Sequence, residues 1–290
     1  MKKIIILIPV YNDWESLEKL INEINENINK FKNIQFDCLI VNDASTAKMP
    51  EMVKPKKFGS IEILNMRENK GHARCNAFGI RYVFQNKEFD YLILMDGDGE
   101  DRPVEIKNLV EQIIKDPKIS VVAKRVKRSE GLLFQSLYQV HKLITLIFTG
   151  KNINFGNYSM LTKNDVSILH SKPSLWSSFS GSVKKYIKHF NEINSTRGIR
   201  YFGPSKMSLL KLIIHSLSII AVFKYQVFFR STLMIVTLAF LNFYLGNLTI
   251  FLQILIVIFN LLIFLVSNRE LATDLQNSQN NLDEIKKIIH

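Results

Sequence analysis

The chain has 290 residues, 47% hydrophobic and 22% charged, which excludes wholesale disorder and allows one large or two small domains with a sizeable core. Its 38 basic and 26 acidic residues leave a net charge of +12, which suits an anionic partner such as nucleic acid, a membrane surface or a phosphorylated substrate. The excess is local: residues 1–120 hold 18 basic and 19 acidic residues, residues 121–230 hold 17 and 3, and residues 231–290 hold 3 and 4.

Met1-Lys2-Lys3 followed by Ile4 to Val10 imitates a signal peptide, but Pro9, Asn12 and Asp13 end the apolar run early, so it reads as a buried first strand. Helical spacing follows over Trp14–Asn29, then apolar strands at Phe36–Val41 and Ile61–Leu64. A helix over His72–Phe84, a strand at Tyr91–Met95, a helix over Val104–Ile114 and a strand at Ile119–Ala123 complete an alternating α/β layer with a mostly parallel sheet. Cys38 and Cys75 form no CxxC pair, which argues against zinc and for two buried reduced thiols. Trp14 and Trp176 read as core residues.

Ser205 to Lys224 is amphipathic, with Ser208, Lys211, His215 and Ser218 on one narrow polar stripe, a pattern suited to a membrane interface. Ser231 to Asn268 carries no charge and is broken only at Gly246-Asn247. A bilayer core needs about 20 helical residues, so this reads as a hairpin of two spans, about Phe228–Leu245 and Leu248–Ser267. Basic residues flank the spans on their N-terminal side and the turn has none, which predicts a large N-terminal region on the cytoplasmic face of a membrane, the inner membrane of a bacterium. Arg269 to His290 returns to that side, and Leu271, Leu275, Leu282, Ile285 and Ile289 predict a short amphipathic helix there. The expected division is a catalytic region over 1–200 (a nucleotide-sugar half over 1–125 and an acceptor half over 126–200), an interfacial region over 201–227, spans over 228–268 and a tail over 269–290.

Ligands of such sheets bind past the C-terminal ends of the strands. There stand Pro9-Val10-Tyr11-Asn12-Asp13, Asn42-Asp43-Ala44-Ser45, Arg67-Glu68-Asn69-Lys70-Gly71 and Asp96-Gly97-Asp98-Gly99-Glu100-Asp101. Four carboxylates in six residues repel one another unless a cation neutralises them, and Mg²⁺ commonly takes one or two carboxylates plus substrate phosphates. Gly97 and Gly99 permit a tight turn and a close ligand. Tyr11 offers a face to a nucleobase, Asp43 an acceptor for base or ribose, and Lys70, Gly71 and Arg74 open a helix where phosphates bind. An acidic solvated turn is the competing reading of the Asp96–Asp101 run taken alone.

These residues resemble family 2 glycosyltransferases with the GT-A fold. The matching pieces are Ile8-Pro9-Val10-Tyr11-Asn12, Val41-Asn42-Asp43-Ala44-Ser45-Thr46, Asn69-Lys70-Gly71 and Asp96-Gly97-Asp98, spread over about 1–165. Each is weak alone; four in order are specific. Within the family the chain looks most like the polyprenyl-phosphate sugar transferases of the dolichyl-phosphate mannose synthase kind, with Glu100 where that group's extended Asp-x-Asp-x-Gln-Asp-x-Pro pattern has Gln. The resemblance implies a donor site of Pro9, Tyr11, Asp13, Asp43, Ser45, Lys70, Gly71, Arg74, Asp96 and Gly97. It implies Mg²⁺ or Mn²⁺ on Asp98 and Glu100, and an acceptor-phosphate grip from Arg125, Lys127, Arg128, Ser129, Ser205 and Lys206. Asp96, Asp98, Arg125 and Arg128 are the implied catalytic residues. The sequence departs at Asn154-Phe155-Gly156-Asn157-Tyr158-Ser159, where the subgroup often has Asp-Ala-Gly-Asp-Phe-Arg. It also lacks the Gln-x-x-Arg-Trp motif of processive synthases, which argues against chain polymerisation.

A sugar-hydroxyl acceptor needs a general base; a lipid phosphate is already an anionic nucleophile. Residues 121–230 hold only Glu130, Asp165 and Glu192 as carboxylates, which favours an anionic acceptor. The expected partners are a UDP- or GDP-linked sugar, polyprenyl phosphate or a lipid-linked saccharide, and the membrane, in cell-surface polysaccharide or glycolipid synthesis. A homo-oligomer stays open, and nucleic acid is not expected. A hydroxyl of a lipid-linked saccharide and a non-catalytic membrane scaffold are the alternatives. His72, His141, His170 and His189 read as surface or packed residues rather than bases.

Overall fold

Successive side chains of a strand point to opposite faces, so a run apolar at every position must be covered on both sides. In the computed structural model, which describes residues 1–127, 132–204 and 208–289, β1 (Lys2–Val10) is such a strand. Its Ile4, Ile6 and Ile8 pack with Leu17, Ile21 and Ile24 of α1 (Trp14–Ile28), while Ile5 and Leu7 pack with Phe78 and Val83 of α2 (His72–Asn86) on the other face. Each side chain so buried stabilises the fold by about 1.5–3 kcal/mol.

Between and after these helices run β2 (Ile34–Asn42), β3 (Phe58–Met66), β4 (Tyr91–Leu94), α3 (Ile106–Lys115) and β5 (Ser120–Lys127). The second half supplies α4 (Leu132–Thr149), β6 (Phe155–Thr162), α5 (Lys163–Leu169), α6 (Phe179–Tyr186) and β7 (Phe190–Thr196). It continues through α7 (Leu209–Ala221), α8 (Lys224–Leu245), α9 (Asn247–Ser267), α10 (Ala272–Gln276) and β8 (Leu282–Ile288). The eight strands form one sheet in the order β7-β5-β6-β4-β1-β2-β3-β8. The β4-β1-β2-β3 centre is parallel, β6 and β8 are antiparallel to their neighbours, and β5 and β7 run parallel. Pro9 and Val10, expected past the end of the first strand, lie inside the ladder opposite Val41 and Asn42, so the loop proper starts at Tyr11. Trp14 and Trp176 are core residues, and Cys38 and Cys75 are buried free thiols.

α8 and α9 are long and apolar enough to cross a bilayer, and they turn at Gly246, whose φ is 54°. Phe240, Phe243, Phe251 and Leu261 are among the large apolar side chains they leave exposed, a surface suited to lipid rather than water. α7 also exposes apolar residues, Leu210 and Ile213, while Ser218 on its polar stripe is buried against the protein. The polar stripe is divided along the helix, with Ser208 and Lys211 exposed at its start and Ser218 buried near its end.

The segment after α9 departs from the sequence reading. Ala272–Gln276 is α-helical and runs on into a 3-10 helix over Asn277–Asn281; Leu282–Ile288 is an edge strand antiparallel to β3, not part of an amphipathic helix. The apolar spacing of Leu282, Ile285 and Ile289 fits a helix, but β3 would otherwise present a row of unpaired backbone groups, and pairing satisfies them. The charged residues of β8 remain exposed, as befits an edge strand.

Candidate functional site

The parallel strands deliver their C-terminal ends to one edge, where β1 and β2 are clipped together. Asn12 and Ala44 adopt left-handed φ values of 50° and 56°. The Asn12 amide N–H donates to Ser45 Oγ at 2.8 Å, and Ala47 N–H donates to Asn12 Oδ1 at 2.9 Å. Ser45 is thus engaged in holding this loop, while Tyr11 beside it is exposed. Asp43 is buried, and its two oxygens accept from the Lys70 and Gly71 amides at 2.8 Å each. That carboxylate shapes the loop leading into α2 rather than standing open to a nucleoside. Gly71 caps α2 with φ at 92°, a conformation an L side chain resists. Lys70 is exposed and pairs with Glu68. Arg74, in the first turn of α2, is brought down to about 10 by burial and by Arg269, with Asp274 and Asp43 opposing.

The acidic loop follows β4. Gly97 packs against the Pro9 carbonyl, where a Cβ would come within 3.0 Å of the oxygen. Asp101 is buried and accepts from the Asp96 amide at 2.9 Å; burial and the Asp96 charge raise its carboxyl to about 7. Asp96 is flanked by His72 Nε2 at 3.2 Å and by Asn157 Nδ2 at 3.0 Å, and Asn157 also reaches His72 at 2.7 Å. Burial acts against ionisation of Asp96, but His72, Arg125 and Arg197 outweigh it and lower its pKa. The His72 pKa is in turn raised: burial opposes the cation, and Asp96 prevails.

Asp98 and Glu100 meet a strap formed by residues 197–201. Arg200 Nη1 lies 2.7 Å from Asp98 Oδ2, its Nη2 pairs with Asp13, and Arg197 pairs with Glu100. Backbone bonds hold the strap down, Gly198 N–H to Glu100 O at 2.8 Å and Tyr201 N–H to Asp98 O at 3.0 Å. Tyr201 lies over Gly99, where any side chain would collide with its ring, and donates to Glu23 at 2.6 Å. Burial raises the Asp98 pKa, with Asp96 adding to it, and burial raises that of Glu100 against the pull of Arg197. Both carboxylates are thus compensated by guanidinium groups, and among the described residues no three His, Cys, Asp or Glu groups could hold a metal together.

Arg125, on β5, extends over Gly156 toward Asp96 and Asp101. His215, on the polar stripe of α7, is lowered to about 4 by burial, with His72 and Arg125 adding to the effect. Of the remaining acceptor residues, Lys127 ends β5, while Arg128, Ser129, Ser205 and Lys206 lie outside the described residues. The structure adds four groups that the sequence reading assigned no role: His72, Asn157, Arg197 and Arg200. Asn157 lies in the segment where the sequence departs from the subgroup pattern. Arg197 and Arg200 gave no signal beyond the basic excess of their segment.

The model of glycosyl transferase family 2 matches residues 5–190, from β1 to the start of β7. The chain belongs to glycosyl transferase family 2. As in that family's GT-A fold, the mostly parallel sheet carries the acidic loop at its C-terminal edge. The undecaprenyl-phosphate 4-deoxy-4-formamido-L-arabinose transferases of Salmonella choleraesuis and Salmonella newport are each 27% identical over 224 residues, 73% of this chain. The chain spans 65% of the length of these curated relatives. Among solved structures, glucosyl-3-phosphoglycerate synthase from Mycobacterium tuberculosis, in complex with Mn²⁺, UDP-glucose and phosphoglyceric acid, has a TM-score of 0.52 at 14% identity. That match covers 78% of this chain and 80% of the other, and shows a shared fold.

Proposed function

We propose that this family 2 protein transfers a sugar, with inversion, from a nucleoside diphosphate sugar to polyprenyl phosphate at the cytoplasmic face of a membrane crossed by α8 and α9. The observation that carries the lipid-phosphate acceptor is the absence of a placed base from the acceptor half's own described carboxylates. Asp165 is buried and bonded to Ser120, and Glu192 pairs with Lys124 at 3.5 Å. Glu130 lies outside the described residues. Arg125 instead offers positive charge, which a lipid phosphate needs and a hydroxyl does not. The name of the Salmonella relatives supports the same acceptor class.

Asp98 and Glu100 would hold Mg²⁺ or Mn²⁺. The ion supplies charge neutralisation for the departing nucleoside diphosphate. Asp96, held ionised by His72 and fixed by Asn157, would orient the donor sugar or ribose. Lys70, Arg74 and the first turn of α2, set in place by the turn that Asp43 holds, would face the diphosphate. A second reading is transfer to a hydroxyl of a lipid-linked saccharide, for which His215, beside the site but lowered to about 4 by burial, would be a weak base.

Membranes incubated with a panel of labelled nucleotide sugars should pass label into an extractable lipid monophosphate. Arg125→Ala should raise the lipid KM about tenfold and the donor KM far less. Label found only on a lipid-linked oligosaccharide would select the second reading, and no transfer with any donor would refute both.

Arg200 occupies the place where the cation would bind Asp98. Arg200→Ala is therefore expected to raise the Mn²⁺ affinity of the nucleotide-free protein about tenfold, measured by the loss of free-Mn²⁺ EPR signal. An unchanged affinity would place the ion elsewhere.

A further inference from the structure

The loop Arg67–Gly71 hangs between two supports. On its inner side are the Asp43 oxygens, which accept from the Lys70 and Gly71 amides. Its outer support comes from the far end of the sequence, after both apolar helices. Arg67 N–H donates to the Asn281 carbonyl at 2.8 Å. The Asn281 side chain then forms a reciprocal pair with the Glu68 backbone: Glu68 N–H donates to Oδ1 at 3.0 Å, and Nδ2 donates to the Glu68 carbonyl at 3.0 Å. A carboxamide presents one acceptor and one donor just as a peptide unit does, so Asn281 extends the β3–β8 ladder by a side chain. Asp283 adds an ion pair with Arg67 at 3.5 Å, and Arg269 and Asp274 act electrostatically on Arg74 at the start of α2.

We propose that Asn281 is a positioning residue for donor binding: it holds the outer side of the Arg67–Gly71 loop, whose inner side Asp43 holds, so that Lys70, Arg74 and the first turn of α2 face the donor diphosphate. This rests on the reading of that loop as the diphosphate site. Its consequence is that the segment following the membrane hairpin, rather than the nucleotide-binding half alone, sets donor affinity. Residue chemistry makes the claim specific. Alanine removes both side-chain bonds. Aspartate keeps the bond from Glu68 N–H but turns an oxygen toward the Glu68 carbonyl. Glutamine retains both groups at a longer reach.

The experiment compares steady-state kinetics of the full-length protein in membranes with calorimetry of UDP and GDP plus Mn²⁺. Asn281→Ala should raise the donor KM and the nucleotide Kd about fivefold, leaving kcat and the acceptor KM within twofold and Tm within a few degrees. Asn281→Asp should be at least as impaired, and Asn281→Gln should recover part of the loss. Asp43→Asn is run in parallel. If it weakens nucleotide binding while Asn281→Ala does not, the positioning role is overturned and the loop stands as the donor site. If neither variant changes nucleotide binding, the donor reading of the loop falls, and the role of Asn281 with it. Equal losses in both substrates together with a lower Tm would make Asn281 structural only, which also overturns the proposal.

Discussion

Asp98→Asn should reduce sugar transfer about 10³-fold while leaving the protein folded and bound to membranes. The reasoning starts from the geometry of the loop. Asp98 Oδ1 accepts from the Glu100 amide at 3.1 Å, and Oδ2 faces the Arg200 guanidinium. An asparagine placed with its oxygen toward Glu100 keeps the turn. Arg200 keeps its second partner, Asp13, so the strap remains anchored. The change removes one negative charge at the position proposed to draw a cation onto the leaving diphosphate. The cost falls on the transition state, where charge on that diphosphate develops, and much less on the ground state. Radiolabel transfer into lipid measures the first effect, and thermal unfolding with membrane flotation measures the second. A rate within tenfold of the parent protein would remove Asp98 from the metal site.

The topology of the sheet bears on the membrane independently of charge counting. β8 follows α9 and hydrogen-bonds to β3, which precedes α8 by more than a hundred residues. If α8 and α9 span a bilayer, these strands can pair only when both ends of the hairpin emerge on the same side. The basic excess of residues 121–230 lies between the nucleotide half and that hairpin. α7 brings His215 of its polar stripe within electrostatic reach of Arg125 and Asp96. From the same basic segment Arg125 and Arg197 act on Asp96.

What the sequence made legible follows from the range of the interactions. The central strands and α1 to α3 were readable because period-2 and period-3.6 apolar patterns are local and each buries its own face. The acidic loop was readable because four carboxylates within six residues require a cation wherever the chain puts them. The partners of those carboxylates were not readable. Arg197 and Arg200 lie about a hundred residues further on, and nothing local distinguishes them from the other basic residues of their segment. His72 presents a lone histidine in a helix; only the meeting of α2, β4 and β6 puts it on Asp96 and Asn157. β8 was misread for the same reason, since the choice of strand over helix was made by the open edge of β3 and not by its own spacing.

Asp43→Ala should have the second largest effect, and it should strike stability and donor binding together. Asp43 is buried, its own amide donates to the Val10 carbonyl at 2.9 Å, and its side chain receives two backbone amides at 2.8 Å each. Removing the carboxylate leaves the Lys70 and Gly71 amides without that acceptor. Hydrogen bonds to charged groups contribute about 1.5–3 kcal/mol each, so a loss of about 3 kcal/mol is expected after water reaches the loop. Gly71 is held at a positive φ in part by that bond, and with it released the turn into α2 relaxes. The first turn of α2 is then no longer held toward the diphosphate, and the donor KM should rise about 100-fold. Asp43→Asn separates the two effects. Its remaining oxygen can accept from one amide while its NH₂ opposes the other, so it should lose about half the stability and raise the donor KM about tenfold. Chemical denaturation and nucleotide calorimetry on the same preparations measure the pair. Should the alanine variant lose stability but bind nucleotide normally, Asp43 holds a loop that the donor does not touch.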